Sequence, residues 1–134
     1  GENITVIFAN NAVYGMTGGQ MAPTTMEGQV TTTTPHGRDV STVGYPLKVP
    51  EILSILPRSV FLARGAVNNA ANIRKTKKLI EKAFQVQLDG KGFSLVEVLS
   101  MCPSAWRLPP KEAVSWLEEK MIPYFPLGII KEAL

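Results

Sequence analysis

At 134 residues, 45% of them apolar, the chain has the size of one ordinary domain and enough hydrophobic material to bury a core, which is not the composition of a disordered protein. Fourteen Lys and Arg against eleven Asp and Glu leave a net charge of +3, without the concentrated charge or the basic tail of a nucleic-acid binder. A single cysteine, Cys102, rules out an internal disulfide scaffold and cannot alone supply a zinc site, so a reducing compartment is favoured and the cytoplasm is the default.

Ile4 to Ala9 is a short run rich in β-branched and aromatic residues, as in a strand buried on both faces, and it ends at Asn10-Asn11. No apolar run nears the roughly 18 residues of a membrane span, and no signal peptide or membrane partner is expected. Residues 10 to 44 then gather Gly15, Gly18, Gly19, Gly28, Pro23, Pro35 and a threonine tract without helical or strand periodicity. A loop of that length is functional or disordered, and residues 15 to 44 are expected to be mobile. Val49-Pro50-Glu51 opens a short helix carrying Ile52, Leu53, Ile55 and Leu56, which Pro57 stops.

Ser59 to Ala63 reads as the second strand, and Asn68 or Asn69 caps a helix running to about Leu88. On that helix Ile73, Leu79, Ile80, Ala83, Phe84 and Leu88 recur at intervals of three and four, and Lys and Arg occupy much of the rest of its circumference. Asp89-Gly90 ends it, Phe93 to Leu99 is the third strand, and Pro110 starts a last helix through Ala113, Val114, Trp116, Leu117 and Met121. Pro123 and Pro126 then break the chain. The order β, loop, α, β, α, β, α implies an α/β fold, a parallel sheet covered by helices on both faces. Three strands are few for this architecture, and the chain reads as the C-terminal part of one domain, residues 1–134.

In open α/β sheets ligands bind beyond the carboxyl ends of the strands, where the segment from Asn10 to Gln20 falls. Its oxygens and glycines suit a hard cation that holds a phosphate, and equally suit a tight turn. The run Val-Ile-Phe-Ala-Asn-Asn-Ala-Val-Tyr-Gly-Met-Thr-Gly-Gly-Gln-Met-Ala-Pro-Thr-Thr (6 to 25) resembles the thiamine-diphosphate-binding beta subunit of the 2-oxoacid:ferredoxin oxidoreductases. The stretches Val96 to Trp106 and Lys120 to Gly128 continue the resemblance, which is closest to the 2-oxoglutarate or branched-chain types.

The resemblance implies oxidative decarboxylation of a 2-oxoacid with coenzyme A to acyl-CoA and carbon dioxide, with reduction of ferredoxin, in a complex with other oxidoreductase subunits. The chemistry would be the cofactor's, and no catalytic side chain is assigned here. The side chain of Asn11 and the carbonyl of Val13 would ligate magnesium, while Gly15, Met16 and Thr17 would line thiamine diphosphate. Members of the wider thiamine-diphosphate class split the metal site between a Gly-Asp-Gly element and an Asn-Asn element, and only the second is present here. Two neutral ligands make a poor magnesium site, so the chain alone is expected to bind cofactor weakly. Cys102, in Cys-Pro-x-x-Trp, would give one thiolate to a four-iron iron-sulfur cluster whose other ligands lie elsewhere. Its other reading is a small buried hydrophobe.

His36 reads as a solvated loop residue or an active-site group, and Arg38 as an anchor for a substrate carboxylate or a coenzyme A phosphate. Thr31 to Thr34 suggests an extended or disordered piece. The basic face of the long helix is a solvated surface rather than a nucleic-acid or ferredoxin contact, and Trp106, Trp116, Tyr124 and Phe125 belong to a core or interface. A noncatalytic interaction or assembly module that keeps the fold is the alternative to an enzyme.

Overall fold

The computed structural model describes residues 2–133. Three strands, β1 (Thr5–Asn10), β5 (Phe93–Leu99) and β4 (Ser59–Ala66), lie parallel in the order β1-β5-β4, and β6 (Gly128–Glu132) adds an antiparallel edge beside β4. The long helix α3 (Ala70–Leu88) covers one face and the short helix α2 (Val49–Ser54) sits on the other, as the β-α-β alternation requires. Asn69 is the cap: its side chain accepts from Asn72 N at 2.8 Å.

All eight residues of β4 are buried, three more than the apolar run from Ser59 to Ala63 suggests, because the strand continues through Arg64-Gly65-Ala66. Phe61, Ala63 and Val96 pack with Ala83 and Val86 of α3. Gly65 faces the same helix so closely that a methyl group there would lie 2.2 Å from the Thr76 hydroxyl oxygen. The opposite face meets a second core built from Ala66, Leu99, Leu117, Met121 and Phe125. It is supplied by α5 (Pro110–Trp116), a wide π-type turn (Leu117–Met121) and the short α6 (Ile122–Tyr124), so the last helix extends past Met121 in a different winding.

The sequence places no strand after Pro126, yet Gly128–Glu132 pairs with β4. Proline cannot donate to a ladder but tolerates the residues before an edge strand, which is the position it takes here. Residues 10–44 differ most from expectation. The segment, which shows no helical or strand periodicity, holds a two-stranded ribbon, β2 (Val13–Tyr14) with β3 (Gln20–Met21), and a helical turn, α1 (Val40–Val43). Side chains supply much of its order. Thr31 and Thr34 bridge one another through both backbone and hydroxyl contacts, so the threonine tract is a tight turn rather than an extended piece.

Candidate cofactor site

Asn10 ends β1 at the carboxyl edge of the sheet, next to the end of β5, where Ser100 N donates to Asn10 O at 2.9 Å. The chain turns sharply there. Ala12 has φ 59, a left-handed conformation that a non-glycine residue rarely adopts, and it lies between the two expected metal ligands, Asn11 and Val13. Three neighbours hold the turn. Ala12 N donates to Asn10 Oδ1 at 3.0 Å, Thr25 Oγ1 donates to Ala12 O at 2.6 Å, and Trp106 Nε1 donates to Asn11 O at 2.9 Å.

Within the turn, the Asn11 side-chain oxygen receives only a long contact from Val13 N, at 3.4 Å, which leaves its lone pairs available to a cation. Gly15 comes next and packs closely on one side: a Cβ there would stand 3.0 Å from Cys102 Sγ and 3.7 Å from Asn11 Nδ2. Gly18 and Gly19 take positive φ values of 124° and 77°, which close the β2–β3 ribbon. The structure therefore brings Asn11, Val13, Gly15 and Cys102 together at one sheet edge. Met16 and Thr17 lie apart from them at the exposed tip of the ribbon, where Thr17 Oγ1 donates to Gln20 Oε1 at 2.7 Å.

The donor set suits one half of a magnesium-diphosphate site. It offers neutral oxygens beside backbone that a phosphate can approach, and the charged ligands have to come from outside it. Among the described residues no group of three or more His, Cys, Asp or Glu is placed to hold a metal. Cys102 is half-buried at the start of α4 (Pro103–Trp106) and is free of disulfide bonding. One thiol in that position can contribute one ligand to a cluster, and no more.

Arg38 is placed differently from an anion anchor. It is 5% exposed, and its guanidinium donates to the carbonyls of Ala22, Pro23, Thr25, Gly44 and Tyr45 at 2.8–3.2 Å, with a longer contact to Val43 O. Every donor direction is taken by main chain, so Arg38 ties the middle of the loop, residues 22–25, to its end at 43–45 and has none left for a carboxylate or phosphate. Burial lowers its pKa, with Tyr124 acting the other way. His36 is exposed on the same loop, away from the turn's contacts.

Behind the turn lies a buried polar row that the motif does not include. Asn10 Nδ2 donates to Glu97 Oε1 at 2.7 Å, and Arg64 Nε donates to Glu97 Oε2 at 2.6 Å. Both ends of the Arg64 guanidinium reach the Glu51 carboxylate of α2, at 2.9 and 2.6 Å. Burial pushes the Glu97 carboxyl above its ordinary value, opposed by Arg64 and Asn10. On Glu51 burial also acts upward, but the hydrogen bonds and charge of Arg64 win and hold that carboxyl below its ordinary value. One signal could have shown this row: opposite charges stand alone inside two otherwise uncharged, mostly apolar strands. The aromatic residues near the C-terminus pack as core, Trp106 against Trp116 with centroids 4.6 Å apart and Tyr124 edge-on to Phe125.

Residues 1–98 match the family described as thiamine pyrophosphate enzyme, C-terminal TPP binding domain. The ketoisovalerate oxidoreductase subunit VorA of Methanothermobacter marburgensis is 48% identical over 127 residues, 95% of this chain and 27% of the relative. The 2-oxoglutarate synthase subunit KorB of Archaeoglobus fulgidus is 36% identical over 117 residues, 87% of this chain and 39% of that protein. The 2-oxoacid:ferredoxin oxidoreductase subunit beta of Saccharolobus solfataricus is 34% identical over 110 residues, 82% of this chain and 32% of that subunit. The chain thus spans between a quarter and two fifths of the length of these curated relatives. With the family match covering most of its residues, and with an α/β sheet that carries the asparagine turn at its carboxyl edge, the chain belongs to the thiamine pyrophosphate enzymes, in their C-terminal cofactor-binding domain.

Proposed function

We propose that this chain is the C-terminal part of the thiamine-diphosphate domain of a 2-oxoacid:ferredoxin oxidoreductase subunit. The assembled enzyme oxidatively decarboxylates a 2-oxoacid with coenzyme A, gives acyl-CoA and carbon dioxide, and passes the electrons to ferredoxin. The observation that carries the reading is the Asn11–Val13 turn, fixed by three hydrogen bonds at the carboxyl edge of the sheet with the Cys102 thiol beside it. Thiamine diphosphate supplies the electron sink that decarboxylation of a 2-oxoacid requires. Asn11 and Val13 would hold its magnesium, Gly15 would let backbone approach it, and Cys102 would give one thiolate to an iron-sulfur cluster that receives electrons. Met16 and Thr17, at the exposed tip, would reach the cofactor only from the ribbon's outer side.

The relatives named for ketoisovalerate are 48% and 47% identical to this chain, against 36% for a relative named for 2-oxoglutarate, and this favours a branched-chain 2-oxoacid as substrate. Among the described residues no helix is long and apolar enough to cross a membrane, in keeping with a cytoplasmic complex. Ferredoxin reduction by the assembled protein, assayed with ketoisovalerate, 2-oxoglutarate, pyruvate and an arylpyruvate, tests the reading. Ketoisovalerate is expected to give the highest kcat/KM, and no coenzyme A-dependent turnover with any of the four would favour the assembly-module alternative.

A second measurement addresses the site directly. Asn11→Ala in the intact protein is expected to weaken magnesium-dependent binding of thiamine diphosphate by about tenfold or more, as loss of a metal ligand should. Wild-type affinity by calorimetry would leave Asn11 as a turn residue.

A further inference from the structure

The polar row behind the turn crosses three adjacent strands on one face of the sheet, and its side chains are almost wholly enclosed. Asn10 is 2% exposed, and the side chains of Arg64 and Glu97 are fully buried. Stability alone gives little reason for it, since a buried ion pair is often no better than well-packed apolar residues of the same volume. What the row does is fix one amide. Because Asn10 Nδ2 is committed to Glu97 Oε1, its Oδ1 is turned toward Ala12 N and the Thr24 hydroxyl, at 3.0 and 2.8 Å. The amide could otherwise rotate by half a turn and present a donor to those two donors. Glu97 is held in turn by Arg64, which is anchored by Glu51 and by Pro126 O at 3.1 Å.

We propose that Glu97, clamped by Arg64, is a positioning residue: it sets the orientation of the Asn10 amide, and through it the left-handed Ala12 that presents Asn11 and Val13 to the cofactor's metal. The inference rests on the reading that this turn binds magnesium and thiamine diphosphate, and extends it to residues that touch neither. A carboxylate suits the task because it only accepts, so one orientation of the Asn10 amide is satisfied and the other is not. A glutamine can satisfy both.

The test is Glu97→Gln in the intact protein, read by calorimetric affinity for magnesium with thiamine diphosphate and by hydrogen exchange of the peptide covering residues 10–14 without cofactor. The expected result is a dissociation constant raised about tenfold and exchange at Ala12 faster by a similar factor, with the loss largely recovered at saturating cofactor, so that it falls on affinity and not on kcat. Affinity and exchange both within twofold of wild type, with a lowered unfolding midpoint, would make the row packing only and overturn the proposal. Should Glu97→Gln fail to fold, Glu97→Asp carries the same test, because it keeps a carboxylate for the core but draws it back from the Asn10 amide that it is proposed to orient. The parallel Asn11→Ala measurement separates two kinds of failure. If Asn11→Ala weakens binding and the row variants do not, positioning alone is wrong; if neither does, the metal-turn reading has failed and the inference falls with it.

Discussion

Replacing Arg64 by methionine is expected to cost about 3–5 kcal/mol of folding stability, the size of effect seen when one partner of a buried ion pair is removed. Methionine fills most of the vacated volume, so the loss arises chiefly from the Glu97 carboxylate, which is fully buried and would keep only Asn10 as a donor. Glu51 contributes less, because its side chain is 36% exposed and regains water when the guanidinium leaves. A loss of this size is a large share of the stability of a domain, so urea titration at 15–25 °C is the suitable measurement. A fall under about 1 kcal/mol would mean that Glu97 escapes the penalty by taking up a proton once Arg64 is gone, against the cost expected for an unpaired buried carboxylate. The double variant Arg64→Met, Glu97→Leu is expected to recover part of the loss, because it removes the unpaired buried charge but leaves the Asn10 amide without its acceptor.

The two carboxylates of the row also set opposite dependences on pH. Glu51 is held below its ordinary value, so its contribution is complete above about pH 4.3 and is lost as pH falls through the folded value. Glu97 is raised, so the folded state gains from its protonation fully below about pH 4.3, and that gain fades as pH rises through the folded value. On acidification Glu97 therefore takes up its proton before Glu51 does, and the Arg64–Glu51 arm is the last of the two ion pairs to be lost.

The sequence made the parallel strands, the long helix and its asparagine cap legible, because each follows from apolar periodicity bounded by Gly, Pro or Asn. Arg64 obscured the end of β4: a charge reads as the edge of a strand unless its partner on the next strand is known, and Glu97 lies 33 positions away in sequence. β6 was hidden for another reason. A five-residue edge strand after two prolines carries little pattern of its own, and it forms because β4 offers an open side. At the site, the Asn10 to Gln20 segment stood out by motif, whereas the contacts that hold it come from Thr24, Thr25, Glu97 and Trp106, which no local pattern connects to it. Position and partners are properties of the fold, and only the residue types are written locally.

Arg38 shows how far that distinction reaches, and it sets the second large effect. Arg38→Lys keeps the charge but is expected to destabilise the protein by about 3 kcal/mol. An ammonium has three donors where the guanidinium serves six carbonyls, and a buried carbonyl left without a donor costs about 1–3 kcal/mol. The damage should be local before it is global. Arg38 joins residues 22–25 to 43–45, so hydrogen exchange is expected to rise across residues 20–46 while β4 and β5 stay protected. Thr25 belongs to that segment and its hydroxyl bonds Ala12 O, so loosening it should also weaken cofactor binding, by severalfold and without a change in substrate preference. An anion anchor predicts the reverse: Arg38→Lys would leave stability and exchange near wild type and raise the KM for the 2-oxoacid or coenzyme A alone. Because a lysine can still attract a carboxylate but cannot span six carbonyls, the two roles part on the exchange measurement whatever the substrate is.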